Sequence, residues 1–61
     1  MMIPEYDIFL VGDNGLTWLG PAESLDEAKT RIQQRGATEP GNYFIFDQST
    51  GDRFQMTVRP S

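Results

Sequence analysis

The stretch that decides the fold reads Ser24-Leu25-Asp26-Glu27-Ala28-Lys29-Thr30-Arg31-Ile32-Gln33-Gln34-Arg35-Gly36. Leu25, Ala28 and Ile32 recur with the spacing of one helical face, so the pattern predicts a helix over residues 25–35. A Ser and a Glu stand three residues apart at its start, as in a capping box, and the closing glycine suits a left-handed residue that ends a helix. Because three apolar residues make a narrow stripe, the helix must pack on a sheet to be stable.

The segment before the helix predicts a β-hairpin. Residues 6–11 and 16–20 are rich in the β-branched and aromatic residues typical of strands. Between them, Asn14-Gly15 is the sequence expected of a two-residue type I′ turn, and Pro21 is expected to end the second strand. This turn pairs Val11 with Trp18 and Leu10 with Leu19. Both faces of the hairpin are then apolar, with Phe9, Val11, Leu16 and Trp18 on one and Tyr6, Ile8, Leu10 and Leu19 on the other.

The segment after the helix predicts a second hairpin, with strands at 42–47 and 53–58 and Gly51 as the left-handed residue of the turn. The expected register places Asp47 opposite Arg53 as a cross-strand ion pair. One face then holds the core residues Phe44, Phe46, Phe54, Met56 and Val58, opposite a buried Ile32. The other face holds Tyr43, Ile45, Asp47, Arg53, Gln55 and Thr57.

These elements define an α+β fold with the order ββαββ in a single domain of 61 residues, with loose ends at 1–5 and 59–61. We predict a four-stranded, mainly antiparallel sheet in the strand order 2-1-3-4, with one helix packed on one face. The apolar run from Ile8 to Val11 favours a central position for the first strand. A mixed sheet that pairs the first and fourth strands is the alternative.

The chain also resembles a known group of sequences. The matching pattern is Trp18-x-Gly20-Pro21, then Ser24-x-x-Glu27-Ala28 and Ile32, then Gly41-x-Tyr43-x-Ile45-x-Asp47-x-x-Thr50-Gly51. It covers most of the chain and is similar to small uncharacterised bacterial ββαββ domains. Each matching residue also has a turn, cap or packing role. The resemblance implies the fold and a bacterial or phage source, and it implies no activity.

Composition argues against several classes of function. The chain has no cysteine and no histidine, which leaves out thiolate metal sites and the commonest general base. A net charge of −4 argues against a nonspecific nucleic-acid binder, which needs a basic surface. The apolar run at 8–11 is too short to span a bilayer, and no signal peptide is visible, so we expect a cytoplasmic protein.

The candidate chemical groups each have a structural explanation. The oxygen-rich run from Asp47 to Asp52 lacks the further carboxylates of a calcium loop and is better explained as a hairpin turn. Ser24 lacks a base and is better explained as a helix cap. We therefore expect no enzyme activity, cofactor or metal.

One helix can cover only one face of the sheet, whereas the first hairpin is apolar on both. We therefore predict a partly exposed patch on the opposite face, formed by Phe9, Val11 and Trp18 together with Tyr43 and Ile45. The alternative is that Trp18 packs beneath the helix as ordinary core. Such a patch could also stack single-stranded bases, but the negative net charge disfavours this.

The resulting functional prediction is a non-enzymatic protein-interaction module. It binds a protein partner of unknown identity, or a second copy as a homodimer, through the open sheet face or a free edge strand. The alternative is an acidic inhibitor of the phage type that occupies a basic, nucleic-acid-binding surface of another protein. A contiguous array of acidic side chains on one face would favour the inhibitor, and scattered ones the module.

Overall fold

The computed structural model describes residues 5–60 and has the predicted ββαββ architecture. Its elements are β1 (Tyr6–Gly12), β2 (Gly15–Ala22), α1 (Leu25–Thr38), β3 (Gly41–Asp47) and β4 (Arg53–Val58). The strands form one antiparallel sheet in the order β2-β1-β3-β4, and α1 packs on one face of it. Of the ends predicted to be loose, residues 1–4 and 61 lie outside the described residues.

The helix begins as the sequence predicts. Ser24 is the N-cap, and its hydroxyl oxygen accepts a hydrogen bond from the Glu27 N–H at 3.1 Å. The Glu27 carboxylate reaches back one residue further than expected, where it accepts from the Glu23 N–H at 2.9 Å. One free N–H of the first helical turn and the N–H of the residue before the cap are thereby satisfied.

The predicted helix end is wrong. α1 continues through Gly36 to Thr38, and the Glu39 N–H closes it by donating to the Arg35 carbonyl at 2.9 Å. Gly36 does not have positive φ and is buried. A Cβ at this position would lie 2.5 Å from Val58 Cγ1, so glycine is needed here because the helix approaches β4 closely.

The first hairpin turns one residue earlier than predicted. Gly12 pairs with Gly15, so Asp13 and Asn14 form the turn. The predicted type I′ turn is also wrong, because no residue other than glycine has positive φ in the described part of the chain. The strand does not end at Pro21, since β2 runs on to Ala22. Proline is tolerated there because β2 is an edge strand.

The register of this hairpin differs from the prediction because the turn comes earlier. Val11 lies opposite Leu16 instead of Trp18. Because this shift is two residues, it keeps Phe9, Val11, Leu16 and Trp18 on their predicted face. Further along, Ile8 pairs with Gly20 and Phe9 with Trp18, which leaves Leu19 as the extra residue of a β-bulge.

The second hairpin is slipped by one residue relative to the prediction. Tyr43 pairs with Met56 and Ile45 with Phe54, so the expected ion pair between Asp47 and Arg53 does not form. A one-residue slip sends β3 side chains to the opposite face. The turn residue was predicted correctly, since Gly51 has φ +79°.

The core therefore differs from the prediction along β3. Its buried apolar residues are Ile8, Ala22, Ala28, Ile32, Tyr43 and Ile45. Ile32 was predicted correctly, whereas Phe44 and Phe46 point to the open face. Tyr43 and Ile45 take the inner positions of β3 instead, and the Tyr43 hydroxyl also donates a hydrogen bond to the Glu39 carbonyl.

The helix crosses the sheet diagonally. Its C-terminal part contacts β4 at Val58, while Arg31 donates a hydrogen bond to the Pro21 carbonyl in β2 at the other side of the sheet. Phe54 faces the helix side but lies at the uncovered corner, where it is 37% exposed. The prediction that Phe54 is buried is therefore wrong.

Tyr43 joins the sheet to the end of the helix. Its ring is fully buried, and its hydroxyl donates a hydrogen bond to the Glu39 carbonyl. Burial raises the pKa of the Tyr43 hydroxyl, and the Glu39 carboxylate adds to this while Arg35 opposes it. The hydroxyl is thus held in its neutral, donating form.

Candidate interaction site

The face of the sheet opposite α1, here called the open face, is arranged in three rows that each cross the four strands. The strand pairings give the middle row as Trp18, Phe9, Phe44 and Gln55, in the order β2, β1, β3, β4. The row on one side holds Pro21, Asp7, Phe46 and Arg53. The row on the other side holds Leu16, Val11, Asn42 and Thr57.

Six apolar side chains form a continuous area on this face. We call it the open-face patch, and it consists of Phe9, Val11, Leu16, Trp18, Phe44 and Phe46. Trp18 is 58% exposed, Leu16 57% and Val11 42%. Since these residues are neighbours in the sheet, their exposure is a contiguous apolar surface of the kind that marks binding sites.

The centre of the patch is rigidly packed. The Phe9 and Phe44 rings stack with their centroids 4.8 Å apart, and the Arg53 guanidinium lies 5.9 Å from the Phe44 centroid. An open depression of about 480 Å³ lies beside this stack, with Leu16 and Gln55 among its lining residues. The patch thus offers a partner both an exposed aromatic side chain, Trp18, and an open depression.

Hydrogen bonds hold the exposed tryptophan in position. The Trp18 indole N–H donates to Asp7 Oδ1 at 3.2 Å, and the Gln48 side-chain amide donates to Asp7 Oδ2 at 2.6 Å. Both carboxylate oxygens of Asp7 are therefore occupied. A side chain fixed in this way loses less conformational entropy on binding than a free one.

The structure brings together three of the five residues predicted for the patch. Phe9, Val11 and Trp18 lie on the open face, whereas Tyr43 and Ile45 are buried under the helix. Their places are taken by Phe44 and Phe46, because β3 presents its even-numbered residues to the open face. No sequence signal identifies Phe44 and Phe46 as outward-facing, because both alternating sets of β3 side chains are apolar.

The acidic residues are gathered at one end of the sheet. This acidic end is where β1, β4 and α1 begin and where β2 and β3 end. Its acidic residues are Glu5, Asp7, Glu23, Asp26, Glu27, Asp47 and Asp52. These are seven of the nine acidic residues. At the opposite end, Asp13 and Glu39 are balanced by Arg35 and Arg59. In the acidic half, the three bases Lys29, Arg31 and Arg53 offset three of the seven acids. The net charge of −4 therefore belongs to the acidic half.

The oxygen-rich run from Asp47 to Asp52 is a hairpin turn between β3 and β4. Asp47 Oδ1 accepts from the Ser49 N–H at 2.9 Å and from the Ser49 hydroxyl at 2.7 Å. The side-chain hydrogen bond from Ser49 is the main reason why the pKa of Asp47 is lowered. Among residues 5–60, no three acidic side chains are grouped to hold a metal ion.

No helix in the described part of the chain is long and apolar enough to cross a membrane.

Comparison with models of protein families, with curated proteins and with solved structures gave no match. The resemblance to small bacterial domains therefore stays a prediction.

Proposed function

We propose that the protein is a small interaction module that associates with a second copy of itself through the open-face patch. The observation that carries this is the exposure of Trp18, Leu16 and Val11 in one contiguous area. Burying this area would remove apolar surface from water, and that is the main driving force of protein association.

The composition of the face supports a partner that is itself apolar and uncharged at its contact. The face carries one acid and one base, Asp7 and Arg53, so it has no net charge although the whole chain has −4. Two copies can therefore approach through this face with less repulsion than through other surfaces. A nucleic-acid partner is disfavoured because Arg53 is the only cation in the three rows.

The size of the face sets the expected affinity. Strands of seven residues are about 23 Å long, and four strands span about 19 Å, which gives roughly 440 Å² per copy. Two copies would bury roughly 900 Å², below the area of a standard stable interface. We therefore expect a weak, transient association.

Sedimentation of the parent protein and of Trp18→Ser over a wide concentration range tests the proposal. We expect the parent to dimerise and Trp18→Ser to shift towards monomer while keeping its thermal melt, since the indole lies largely in water. Phe54→Ser is the matched control, because it removes an exposed aromatic ring from the other side of the sheet. A parent that remains monomeric would refute self-association. Dimerisation unchanged in Trp18→Ser would point to the free edge of β4.

The gathering of the acids favours a second candidate, an acidic inhibitor of a basic nucleic-acid-binding surface. Glu23→Gln with Asp26→Asn would remove two of the seven negative charges at the acidic end and leave the capping residue Glu27 in place. If the acidic end binds, this double variant should lose affinity for an arginine-rich peptide at low salt, whereas Asp13→Asn with Glu39→Gln should not. Equal affinities for both variants would contradict the inhibitor function.

A further inference from the structure

We infer that Asp7 is a positioning residue of the open-face patch, because it bonds the Trp18 indole N–H within the chain and leaves the exposed ring as a purely apolar contact for a second copy. This inference rests on the self-association proposed above. It adds the chemistry that the partner must offer at Trp18, and it names a charged residue on which the affinity depends.

A tryptophan ring carries a polar group that must be satisfied when a partner covers it. The indole has one polar atom, Nε1, and its N–H can only donate a hydrogen bond. Association removes water from this group, and a buried N–H without an acceptor destabilises the complex. An exposed tryptophan that serves as an anchor therefore needs an acceptor, either in the partner or in its own chain.

Asp7 supplies that acceptor from the neighbouring strand. It lies on β1 in the row beside that of Trp18, and Trp18 Nε1–H donates to Asp7 Oδ1 at 3.2 Å. The hydrogen bond links two strands of one sheet, so it needs no group from a partner. A second copy therefore meets a ring that is 58% exposed and whose single donor is already bonded.

The carboxylate of Asp7 is itself prepared for burial. A charged group on a central strand is costly to remove from water unless its oxygens are hydrogen-bonded. Its second oxygen, Oδ2, accepts from the Gln48 side-chain amide at 2.6 Å. The Gln48 backbone N–H donates to the Glu5 carbonyl at 2.9 Å, which holds this residue of the second turn beside the start of β1. Asp7 therefore needs no donor from the partner either.

Other polar side chains of the open face are also paired within the chain. The Thr57 hydroxyl donates to Asn42 Oδ1 at 2.9 Å, and the Arg53 guanidinium lies over the Phe44 ring. Arg53 and Thr57 stand on the edge strand β4, where water still reaches the margin of a contact. The matching surface thus has to be apolar and needs no hydrogen-bond acceptor, which is what the patch of a second copy offers.

Charge alone predicts the opposite effect of losing Asp7. Each copy has a net charge of −4, so removing an acid from the contact would reduce repulsion and tighten the dimer. If Asp7 satisfies the indole N–H, its loss instead leaves an N–H without an acceptor in each copy. We expect Asp7→Ala to raise the dimer dissociation constant, measured by sedimentation, by about ten-fold or more. An unchanged or lower dissociation constant would overturn the inference.

Asp7→Asn is the matched variant, because it removes the same charge but keeps the hydrogen bonds. Its amide oxygen can accept from the indole N–H, and its NH₂ group can donate to the side-chain oxygen of Gln48. We expect it to dimerise at least as tightly as the parent. Asp13→Ala removes an acid from the first turn and should not weaken the dimer. If Asp7→Asn weakens the dimer as much as Asp7→Ala does, the hydrogen bond is not the cause and the inference is wrong.

The indole N–H gives a readout that a general loss of stability would not produce. Trp18 is the only tryptophan in the sequence, so NMR shows a single indole N–H signal. At a concentration where the parent is monomeric, Asp7→Ala should move this signal and make its exchange with water several-fold faster. Asp7→Asn should keep both close to the parent values. A signal that is the same in Asp7→Ala and in the parent would show that Asp7 does not bond the ring.

The two measurements separate a failure of this inference from a failure of the proposed function. A parent that is monomeric in sedimentation refutes self-association and, with it, any role of Asp7 in a dimer. A parent that dimerises, with an Asp7→Ala variant that dimerises equally well, refutes only the role of Asp7. Thermal melts of each variant confirm that the compared proteins are folded.

Discussion

Gly36→Ala distinguishes a glycine that ends a helix from one that permits close packing. In an open helix interior, alanine in place of glycine stabilises by about 0.8–1.0 kcal/mol. Here the new methyl group would lie 2.5 Å from Val58 Cγ1 and 2.7 Å from Val58 Cβ and Cγ2. Valine is stiff at χ1 and cannot turn away freely, and overpacking of this kind costs about 1–3 kcal/mol.

Because the methyl group would meet three Val58 atoms, we take the upper half of this range, and subtracting the gain in helix propensity leaves an expected net loss of about 1–2 kcal/mol. This matters in a chain of 61 residues, whose total stability is on the order of 3–9 kcal/mol. The melting temperature should fall by about 4–8 °C for each kcal/mol. Urea unfolding followed by circular dichroism measures the change, and Thr30→Ala, at an exposed helix position, is the control that should stabilise slightly.

A double-mutant cycle with Val58→Ala tests the cause. If the methyl groups of Val58 produce the clash, the loss in the Gly36→Ala, Val58→Ala double variant should be smaller than the sum of the single losses by about 1 kcal/mol. A Gly36→Ala protein that melts above the parent would refute the reasoning, since it would place this glycine in open space.

Two further predictions concern the core and the turn. Ile45→Ala should destabilise by about 2–5 kcal/mol in urea unfolding because the side chain is fully buried, whereas Phe46→Ala should cost clearly less because its ring lies partly in water on the open face. Equal losses would indicate that the second hairpin has the other register. The lowered pKa of Asp47 contributes stability that is present above the ordinary aspartate pKa of about 3.9 and is lost as the pH falls through the lower folded value. Ser49→Ala should therefore raise the pKa of Asp47, measured by NMR titration, and flatten the stability profile in acid; an unchanged pKa would show that Ser49 does not hold the carboxylate.

The local elements of this protein are determined by its sequence. Ser24 and Glu27 mark the helix start through their own side-chain chemistry, and Gly51 marks the second turn through its freedom at positive φ. The strand order also follows from short connections and from the apolar character of β1. The helix start and the turn depend on residues close together in the chain, so they could be inferred without the tertiary structure, whereas the pairing of β1 with β3 joins distant segments and was predicted with a mixed sheet as its alternative.

Half of the candidate site could be predicted in the same way. Phe9, Val11 and Trp18 share the open face because they alternate along two strands of one hairpin, and the earlier turn moved the register by two residues without moving their face. What the sequence could not indicate is which face of β3 joins them.

The tertiary structure alone decided that question. In β3, both alternating sets of side chains are apolar, so the periodicity of two does not identify the inner face. Packing against the helix selects the inner face. Ala28 and Gly36 bring the helix close to the sheet, and Ile45 and the flat Tyr43 ring fit beneath it. The Tyr43 hydroxyl also donates a hydrogen bond to the Glu39 carbonyl. Phe44 and Phe46 therefore lie on the open face, because close packing of the helix on the sheet admits only one of the two alternating sets of β3 side chains.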